Sequence, residues 1–281
     1  MTATLTTDTK DTASPAADFT AEWREWHTAQ EARIGHRHGF LAVTSLNWLN
    51  QTPQRFSDAP GEWSTDAEGA HVDLADGEEI TVDGIPTTGR HDFGVIPERD
   101  SILVGWNDSV IEVAKRGGFD IVRPRHPDAP IVTAYHGTPA YEPDPRWAVT
   151  GRYVAFDEPR PTTVGAAVEG LQHVYDAPGR VDFEIDGKPL SLTAFGDSHV
   201  GGLFILFTDQ TSGVTTYGAN RSLHVPAPGE DGTVTLDFNR ATNLPCAYTP
   251  LATCPLPPAE NRLPVAIEAG EKVPYERLAD D

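Results

Sequence analysis

Apolar and polar residues alternate in short runs along most of the chain, a pattern typical of β-strands. The clearest run spans residues 181–195, where Val181, Phe183 and Ile185 alternate with acidic residues and Asp186-Gly187 predicts a hairpin turn. Residues 202–208 are almost entirely apolar, which predicts a strand that is buried on both faces. Other runs predict strands at 39–49, 79–83, 101–104, 110–114, 119–123, 130–135, 151–156, 162–175, 213–217, 222–225 and 233–238.

Helical periodicity is clear in one segment, residues 19–34. Phe19, Trp23, Trp26 and Ile34 fall near one face of a helix, and Gly35 can end it. Two tryptophans on one stripe are more typical of a core-facing surface than of a ligand platform. We therefore expect this helix to pack against the rest of the protein.

About a dozen strands and one helix predict an all-β fold: a large antiparallel barrel or sandwich with one N-terminal helix and a long ordered C-terminal loop. The 25 glycines and 24 prolines supply the turns. Residues 1–18 are rich in Thr, Ala and Asp, which predicts a disordered tail. Strand patterns look alike on both sides of the proline-rich residues 123–146, so residues 19–281 are interpreted as a single β-rich domain.

The C-terminal loop has an unusual composition. Residues 241–259 contain no Asp, Glu, Lys or Arg, although 22% of the whole chain is charged. An exposed flexible segment would carry charge and few apolar groups. This one instead contains Leu244, Cys246, Tyr248, Leu251, Cys254 and Leu256. We expect it to be an ordered loop that lies against the body of the protein.

The same stretch carries a family resemblance. The sequence D-F-N-R-A-T-N-L-P-C-A-Y-T-P-L-A-T-C-P-L-P-P-A-E-N-R-L-P, residues 237–264, followed by E-A-G-E, resembles the signature of domain-of-unknown-function family 1684 of bacteria and archaea. Shorter pieces at 39–49, 144–147 and 211–221 fit as well, so the resemblance spans about residues 19–271. Thr242 and Leu244 replace a Tyr and a Pro of the family pattern, so no role of that Tyr transfers. The resemblance implies no activity.

Charge restricts the classes of partner. The chain has 21 Lys and Arg and 42 Asp and Glu, a net charge of −21. Nucleic acids and anionic membranes require a basic surface, so neither is an expected partner. The first residues lack the basic start and apolar run of a signal peptide, and no apolar run is long enough to span a membrane. Two cysteines do not make a disulfide framework. We expect a cytoplasmic protein with reduced thiols.

Cys246 and Cys254 form a C-x7-C pair inside the uncharged loop. Zinc sites place cysteines closer in sequence and need further ligands, which no spacing here supplies. The pair can be buried free thiols, a metal site, a disulfide or a nucleophile, and the first is the most typical. We expect the thiols to be reduced and metal-free.

Two further motifs carry little chemistry. His36-Arg37-His38 follows the end of the predicted helix, so a solvated loop fits it better than a metal site. Gly196-Asp197-Ser198-His199-Val200-Gly201 is not G-x-S-x-G, and neighbouring side chains cannot form a catalytic triad. The nucleotide-binding and zinc-protease motifs do not occur, so the sequence predicts no cofactor and no metal.

Polar residues concentrate around the last predicted strands, 222–225 and 233–238. If the turn at 229–232 joins them as a hairpin, Arg221 lies opposite Phe238 on the neighbouring strand. Asp237 and Asn239 then share the face of the second strand that is opposite to the face of Phe238. The cluster then comprises Tyr217, Asn220, Arg221, Asp237, Asn239, Arg240 and Asn243. It can be a ligand site or an anchor that fixes the loop to the sheet, and both are consistent with these residues.

Three classes of function follow. The first is an enzyme that acts on a small acidic organic molecule, because two arginines beside one aspartate leave positive charge for an anion. The second is a non-catalytic β-barrel that binds a small molecule, and the third is a structural or assembly module. Whether the chain is an enzyme, and its oligomeric state, do not follow from the sequence. The expected catalytic residues are Asp237, Arg240 and Cys246, and the expected ligand-binding residues are Tyr217, Arg221, Asn239, Asn243 and Tyr248.

Overall fold

The computed structural model describes residues 15–196 and 201–277. Helix α1 (Pro15–Ile34) begins before the predicted residue 19, with a proline in its first turn, where the missing N–H costs nothing. The predicted tail therefore overlaps the helix, and its residues 1–14 lie outside the described range. Trp23 and Ile34 are buried, and Trp23 Nε1 donates a hydrogen bond to the Asn239 carbonyl at 2.7 Å. The predicted core face of the helix is confirmed.

The first half of the chain forms short antiparallel strands. They are β1 (Asn47–Trp48), β2 (Gln54–Arg55), β3 (Glu62–Asp66), β4 (Gly69–Asp73), β5 (Ile80–Val82), β6 (Ile85–Thr87), β7 (Arg90–Gly94), β8 (Ser101–Trp106), β9 (Ser109–Arg116) and β10 (Phe119–Arg125). One sheet has the order β1-β10-β9-β8-β5-β6, and the other has the order β2-β3-β4-β7. Trp63, Val72, Val104 and Val113 from both sheets share one apolar core, so the two sheets pack face to face.

The second half begins with a short helix, α2 (Pro130–Ala134), and then forms longer strands. They are β11 (Ala148–Gly165), β12 (Gln172–Ile185), β13 (Lys188–Gly196), β14 (Leu203–Phe207), β15 (Arg221–Val225) and β16 (Thr233–Asp237). Their antiparallel sheet has the order β15-β14-β13-β12-β11-β16. Ser222 and Thr242 exchange backbone hydrogen bonds, which links the edge strand β15 to the chain just after β16. The sheet therefore curls into a half-barrel around an apolar interior.

The C-terminal loop lies across this half-barrel and is held by specific hydrogen bonds. Asn261 is fully buried, and its side chain bonds the Thr193 N–H, the Thr193 carbonyl and the Leu206 carbonyl at 2.7–2.8 Å. Single turns of 3-10 helix shape the loop and its approach at Phe238–Arg240, Pro245–Ala247 and Ala259–Asn261. The backbone polar groups of this irregular segment thus find partners on the sheet.

Several predicted strands are wrong. Residues 130–135 form α2 because Pro130 is preset for the first turn of a helix. Residues 213–217 form a turn in which the Thr211 carbonyl accepts three backbone N–H groups. Residues 39–49 contain a 3-10 turn at Phe40–Ala42, and β1 (Asn47–Trp48) is the strand within this range. Residues 162–175 include the connection between β11 and β12 as well as parts of both strands.

The fold class is confirmed: the chain is mostly β, with antiparallel sheets and one long N-terminal helix among the described residues. The sheet β2-β3-β4-β7 has no counterpart among the predicted strands, because its strands are at most five residues long and rich in polar residues. In the described part of the chain, no helix combines the length and the apolar character that crossing a membrane requires.

Candidate functional site

Arg221 is the first residue of the edge strand β15, and it is buried at 1% exposure. Its Nη2 contacts Asp209 Oδ2 at 2.8 Å and the Ile267 carbonyl at 3.1 Å, and its Nη1 donates to the carbonyls of Ala269 and Glu271. Burial lowers the pKa of Arg221, and the Asp209 carboxylate opposes this. The partner is therefore Asp209 rather than the expected Asp237, and the guanidinium fixes the C-terminal segment to β15.

Asp237, Asn239 and Arg240 do contact one another, apart from Arg221. Asn239 Nδ2 donates to Asp237 Oδ1 at 2.8 Å, and Arg240 Nε lies 3.2 Å from Asp237 Oδ2. Arg240 also lies over the Trp26 ring at 5.5 Å. The expected hairpin register is wrong because β16 pairs with β11, while β15 pairs with β14. The predicted cluster is thus divided into two groups.

Asn243 and Tyr248 belong to a hydrogen-bond network under α1. Asn243 N donates to Glu271 Oε2 at 2.6 Å, and the Tyr248 hydroxyl contacts Thr138 Oγ1 at 2.7 Å. Burial raises the pKa of Tyr248, so it is a neutral hydrogen-bonding group. Burial also raises the pKa of Glu271 to about 8, against the opposing effect of the Asn243 N–H. These groups connect α1, α2 and the C-terminal loop.

Cys246 and Cys254 are free, buried thiols that touch each other. Cys246 N donates to Cys254 Sγ at 3.3 Å. Hydrogen bonds from the Cys254 thiol and the Tyr217 hydroxyl lower the pKa of Cys246, whereas burial raises the pKa of Cys254. Burial and the contact with Cys246 raise the pKa of Tyr217 to about 12. Cys246 and Tyr217 of the expected site therefore lie together, joined by Cys254.

A cavity of about 710 Å³ opens between the two halves of the chain. One wall comes from residues 98–100, β9 and β10, and the other from β12 and residues 244–255 of the C-terminal loop. Five arginines and three carboxylates line it: Arg33, Arg99, Arg116, Arg123, Arg125, Glu98, Asp100 and Glu112. Apolar and aromatic surface comes from Phe40, Tyr175, Phe204, Leu244 and Leu251. We call it the arginine-lined cavity.

The centre of its first wall is the arginine cluster, defined as Arg116, Arg123 and Arg125 around Glu112. Glu112 is 2% exposed and accepts hydrogen bonds from all three guanidiniums. Burial alone would raise the pKa of Glu112, but Arg123 and Arg125 outweigh it and lower the pKa to about 2. Burial lowers the pKa of Arg116, and Glu112 opposes this. Three cations and one anion leave an excess of two positive charges, and Arg125 Nε is buried without a hydrogen-bond partner among the described residues.

Arg99 supplies a further guanidinium on this side of the cavity. It lies 4.5 Å from the centre of the Tyr175 ring and hydrogen-bonds to the Tyr175 side chain. Its backbone φ of 74° is in the left-handed region, which is uncommon outside glycine and concentrates at functional sites. An arginine stacked on an aromatic ring is a common recognition surface for organic anions.

His173 is one of the residues that line the cavity. The side chain is 2% exposed, and Nε2 lies 2.7 Å from the Thr253 carbonyl. A carbonyl only accepts, so Nε2 carries the hydrogen and the neutral ring has its lone pair on Nδ1. Among the described residues Nδ1 has no hydrogen-bond partner, and it lies 3.8 Å from Glu98 Oε1. Nδ1 is therefore a buried hydrogen-bond acceptor without a partner among the described residues.

The arginine-lined cavity was not predicted from the sequence. The signal for part of it was present, because β9 and β10 carry Glu112, Arg123 and Arg125 on otherwise apolar strands. Glu112 lies directly opposite Arg123 in the ladder. Charged residues on buried strands are rare unless paired, so an opposite-charge pair on adjacent runs indicates a buried cluster. His173 had no comparable signal, since its environment depends on the distant Thr253.

The two minor motifs have different outcomes. His38 Nε2 contacts the Asp108 carbonyl at 2.7 Å, and its ring is 6.2 Å from His36 on the exposed surface. The residues 197–200 that carry the Asp-Ser-His sequence lie outside the described ranges. Within residues 15–196 and 201–277, no group of three or more His, Cys, Asp and Glu side chains is arranged to hold a metal ion.

Comparison with known proteins supports the family resemblance. The model of DUF1684, described as a protein of unknown function, matches residues 133–272, and over this range the predicted resemblance is confirmed. The solution NMR structure of an uncharacterised protein from Haloarcula marismortui is similar at 29% sequence identity and a TM-score of 0.43. That match covers 50% of this chain and 79% of the other chain. No curated protein matches.

Proposed function

We propose, from the premise that residues 133–272 belong to the DUF1684 family of proteins of unknown function, that the chain is an enzyme acting on a small acidic organic molecule. The arginine-lined cavity is the proposed site. The observation that carries the proposal is its charge: five arginines against three carboxylates in a chain with a net charge of −21. An acidic chain with a cationic cavity attracts anions at one place.

Buried charge is the physical reason for an anionic ligand. The arginine cluster retains two positive charges after Glu112 is counted. Uncompensated buried charge is costly, and a carboxylate or phosphate bound by guanidinium groups removes much of that cost. The free Arg125 Nε–H is one donor that such a ligand can use. Phosphate and carboxylate both bind guanidinium groups in this way, so both are suitable probes of the cavity.

The shape of the cavity supports a small organic ligand. A volume of about 710 Å³ is within the range of small-molecule sites. Phe40, Tyr175 and Phe204 offer apolar contact beside the guanidiniums. A molecule with an acidic group and a carbon skeleton would use both surfaces.

His173 distinguishes an enzyme from a simple binder. A proton acceptor within a cationic cavity is suited to general base catalysis on a bound acid, because the arginines stabilise negative charge that develops as the proton leaves. Asp237, Asn239 and Arg240 lie outside this cavity, and we propose that they, with Arg221, Asn243 and Tyr248, support the loop that forms its second wall. Cys246, which the sequence predicted to be catalytic, does not line this cavity, although its neighbour Cys254 does.

Other expectations belong to the same proposal. The absence of a nucleic-acid partner is supported by the net charge of −21, which repels polyanions, and the cytoplasmic location stays a prediction. The interpretation of residues 19–281 as one domain is supported by a cavity whose walls come from both halves of the chain.

Thermal shift and calorimetry test anion binding, with inorganic phosphate, succinate and citrate as probes and glycerol as the neutral control. We expect an anion to raise the melting temperature of the wild type. Arg99→Gln should weaken binding by about tenfold, since a lost charge-assisted contact is about 1.4 kcal/mol or more. The matched control is Arg180→Gln, because Arg180 is exposed and pairs only with Asp182 among the described residues. If no anion shifts the protein and Arg99→Gln behaves as Arg180→Gln, the proposal fails in favour of a structural module.

A second experiment separates the enzyme from the non-catalytic binder. The anion that shifts the melting temperature is presented as its methyl ester, amide and phosphate derivatives, and product is followed by NMR. Turnover that is lost in His173→Gln while anion binding is retained supports catalysis with His173 as base. Binding without turnover of any derivative supports the binder instead.

A further inference from the structure

The cysteine pair offers chemistry that the proposed function does not use. Cys246 and Cys254 are 3% and 7% exposed and belong to one apolar cluster with Leu206 and Phe195. Two thiols in contact in such a cluster can be simple packing groups. Two observations distinguish this pair: the backbone N–H of Cys246 donates to the Cys254 sulfur at 3.3 Å, and Cys254 lines the arginine-lined cavity.

The surroundings of Cys246 favour the thiolate. The neighbouring Cys254 and Tyr217 side chains lower the pKa of Cys246 against the effect of burial, and Arg277 lies over the Tyr217 ring at 5.2 Å. Hydrogen bonds and a nearby cation stabilise a sulfur anion, and the thiolate is the reactive form of cysteine. Burial raises the pKa of Cys254, so Cys254 is the protonated member of the pair.

The cavity gives a small oxidant a route to the pair. Cys254 is part of the cavity wall, and Cys246 lies directly behind it, with its backbone nitrogen 3.3 Å from the Cys254 sulfur. The two cysteines are therefore in direct contact. We propose that Cys246 and Cys254 form an oxidisable dithiol that reduces a hydroperoxide entering through the arginine-lined cavity.

The step balances with the hydroperoxide as oxidant. The Cys246 thiolate attacks one peroxide oxygen, the O–O bond breaks, and the departing oxygen takes up a proton to leave as water or an alcohol. Cys246 is then a sulfenic acid. The Cys254 sulfur attacks the Cys246 sulfur, the S–O bond breaks, and the released hydroxide takes the Cys254 proton and leaves as water. The dithiol loses two electrons and two protons, and the peroxide gains both.

Mass spectrometry of the full-length protein tests this inference without reference to any anion. The reduced chain is treated with hydrogen peroxide or tert-butyl hydroperoxide, denatured and labelled with N-ethylmaleimide. We expect a loss of two hydrogens, no maleimide on either cysteine, and full labelling after dithiothreitol. The rate should exceed that of free cysteine by about tenfold or more, since a stabilised thiolate raises the reactive fraction at neutral pH. Two labelled cysteines after excess peroxide would overturn the inference.

Variants assign the roles of the two sulfurs. Cys254→Ser should stop at a sulfenic acid on Cys246 that dimedone traps, whereas Cys246→Ser should give no adduct. The reverse result contradicts the assignment. Tyr217→Phe should slow the reaction about tenfold through loss of one donor to the thiolate. Tyr141→Phe is the matched control, because the Tyr141 hydroxyl bonds Thr215 and not a cysteine. Equal rates in the two tyrosine variants would also contradict it.

Discussion

Arg221 and Arg240 are each paired with an aspartate, and they differ in burial. Arg221 is 1% exposed with a fully buried Asp209, whereas the Arg240 side chain is 40% exposed. Removing one partner of a buried pair strands the other charge and costs about 3–5 kcal/mol. An exposed pair contributes at most about 1 kcal/mol.

We therefore expect Arg221→Ala to lower the free energy of unfolding by about 3–5 kcal/mol and Arg240→Ala by no more than about 1 kcal/mol. Urea denaturation followed by fluorescence measures both. Similar losses in the two variants would show that the contacts of Arg221 with the C-terminal carbonyls contribute little.

The carboxyl of Glu112 predicts a loss of stability in acid. The arginines lower its pKa in the folded state from the ordinary 4.5 to about 2. Its contribution is complete above pH 4.5 and is lost as the pH falls towards 2, about 3 kcal/mol in all. Unfolding free energies measured from pH 6 to 2 should fall more steeply in the wild type than in Glu112→Gln. The exposed Glu68→Gln is the control and should keep the wild-type slope.

Glu271 predicts the opposite slope. Its pKa is raised to about 8 in the folded state by burial, so folding favours the protonated form. The associated stability is complete below pH 4.5 and is lost as the pH rises to 8, by up to about 5 kcal/mol. Glu271→Gln keeps an acceptor for Asn243 N and cannot ionise. It should gain stability relative to the wild type between pH 6 and 9, and a difference that does not change with pH would contradict the raised pKa.

A few side chains fix the C-terminal loop to the sheet, and among them Asn261 makes three hydrogen bonds. Asn261→Ala leaves the Thr193 N–H and two carbonyls without their side-chain partner, which should cost about 3 kcal/mol. Limited proteolysis should then cut between residues 243 and 264, whereas the wild type should be cut first within residues 1–18. The neighbouring Glu260→Ala, which loses a single part-buried hydrogen bond from Thr193, is the control.

Local pattern was sufficient for elements whose neighbours are close in sequence. The hairpin of β12 and β13 was predicted because Asp186 and Gly187 supply the two positive φ angles of its turn, 50° and 75°. The predicted pairing of β15 with β16 is wrong, because it assumed that two strands joined by a short turn pair with each other. Their connecting turn does not join hydrogen-bonded neighbours, since β16 crosses to β11 and each strand takes a partner from elsewhere.

At the scale of the molecule, the cavity is a joint product of segments that are distant in sequence. The arginine cluster lies in residues 112–125, before the family match at 133–272, and the facing loop lies inside it. The sequence indicated an ordered uncharged loop, but the arginines that it placed beside the loop, Arg221 and Arg240, do not line the cavity. It could not identify which arginines, because that depends on how the two halves pack.

A ligand that touches both walls should stabilise both. We expect a bound anion to slow backbone hydrogen exchange in β9, β10 and residues 244–255 together, since these segments close on the same molecule. Exchange in β3 and β4, which lie outside the cavity wall, should not change. Mass spectrometry of phosphate- or citrate-loaded protein measures this. Protection confined to one wall would contradict a shared site.

The position of Arg221 also has a consequence for the order of synthesis. Its carbonyl acceptors at 267, 269 and 271 follow it by 46, 48 and 50 residues. While the chain is being made, β15 therefore emerges with a guanidinium that has only Asp209 to compensate it. The N-terminal sheets, whose pairings all lie within residues 47–125, need no later residue for their ladders. Folding on the ribosome should thus begin with those sheets, and the half-barrel should close only after residues 267–271 have emerged.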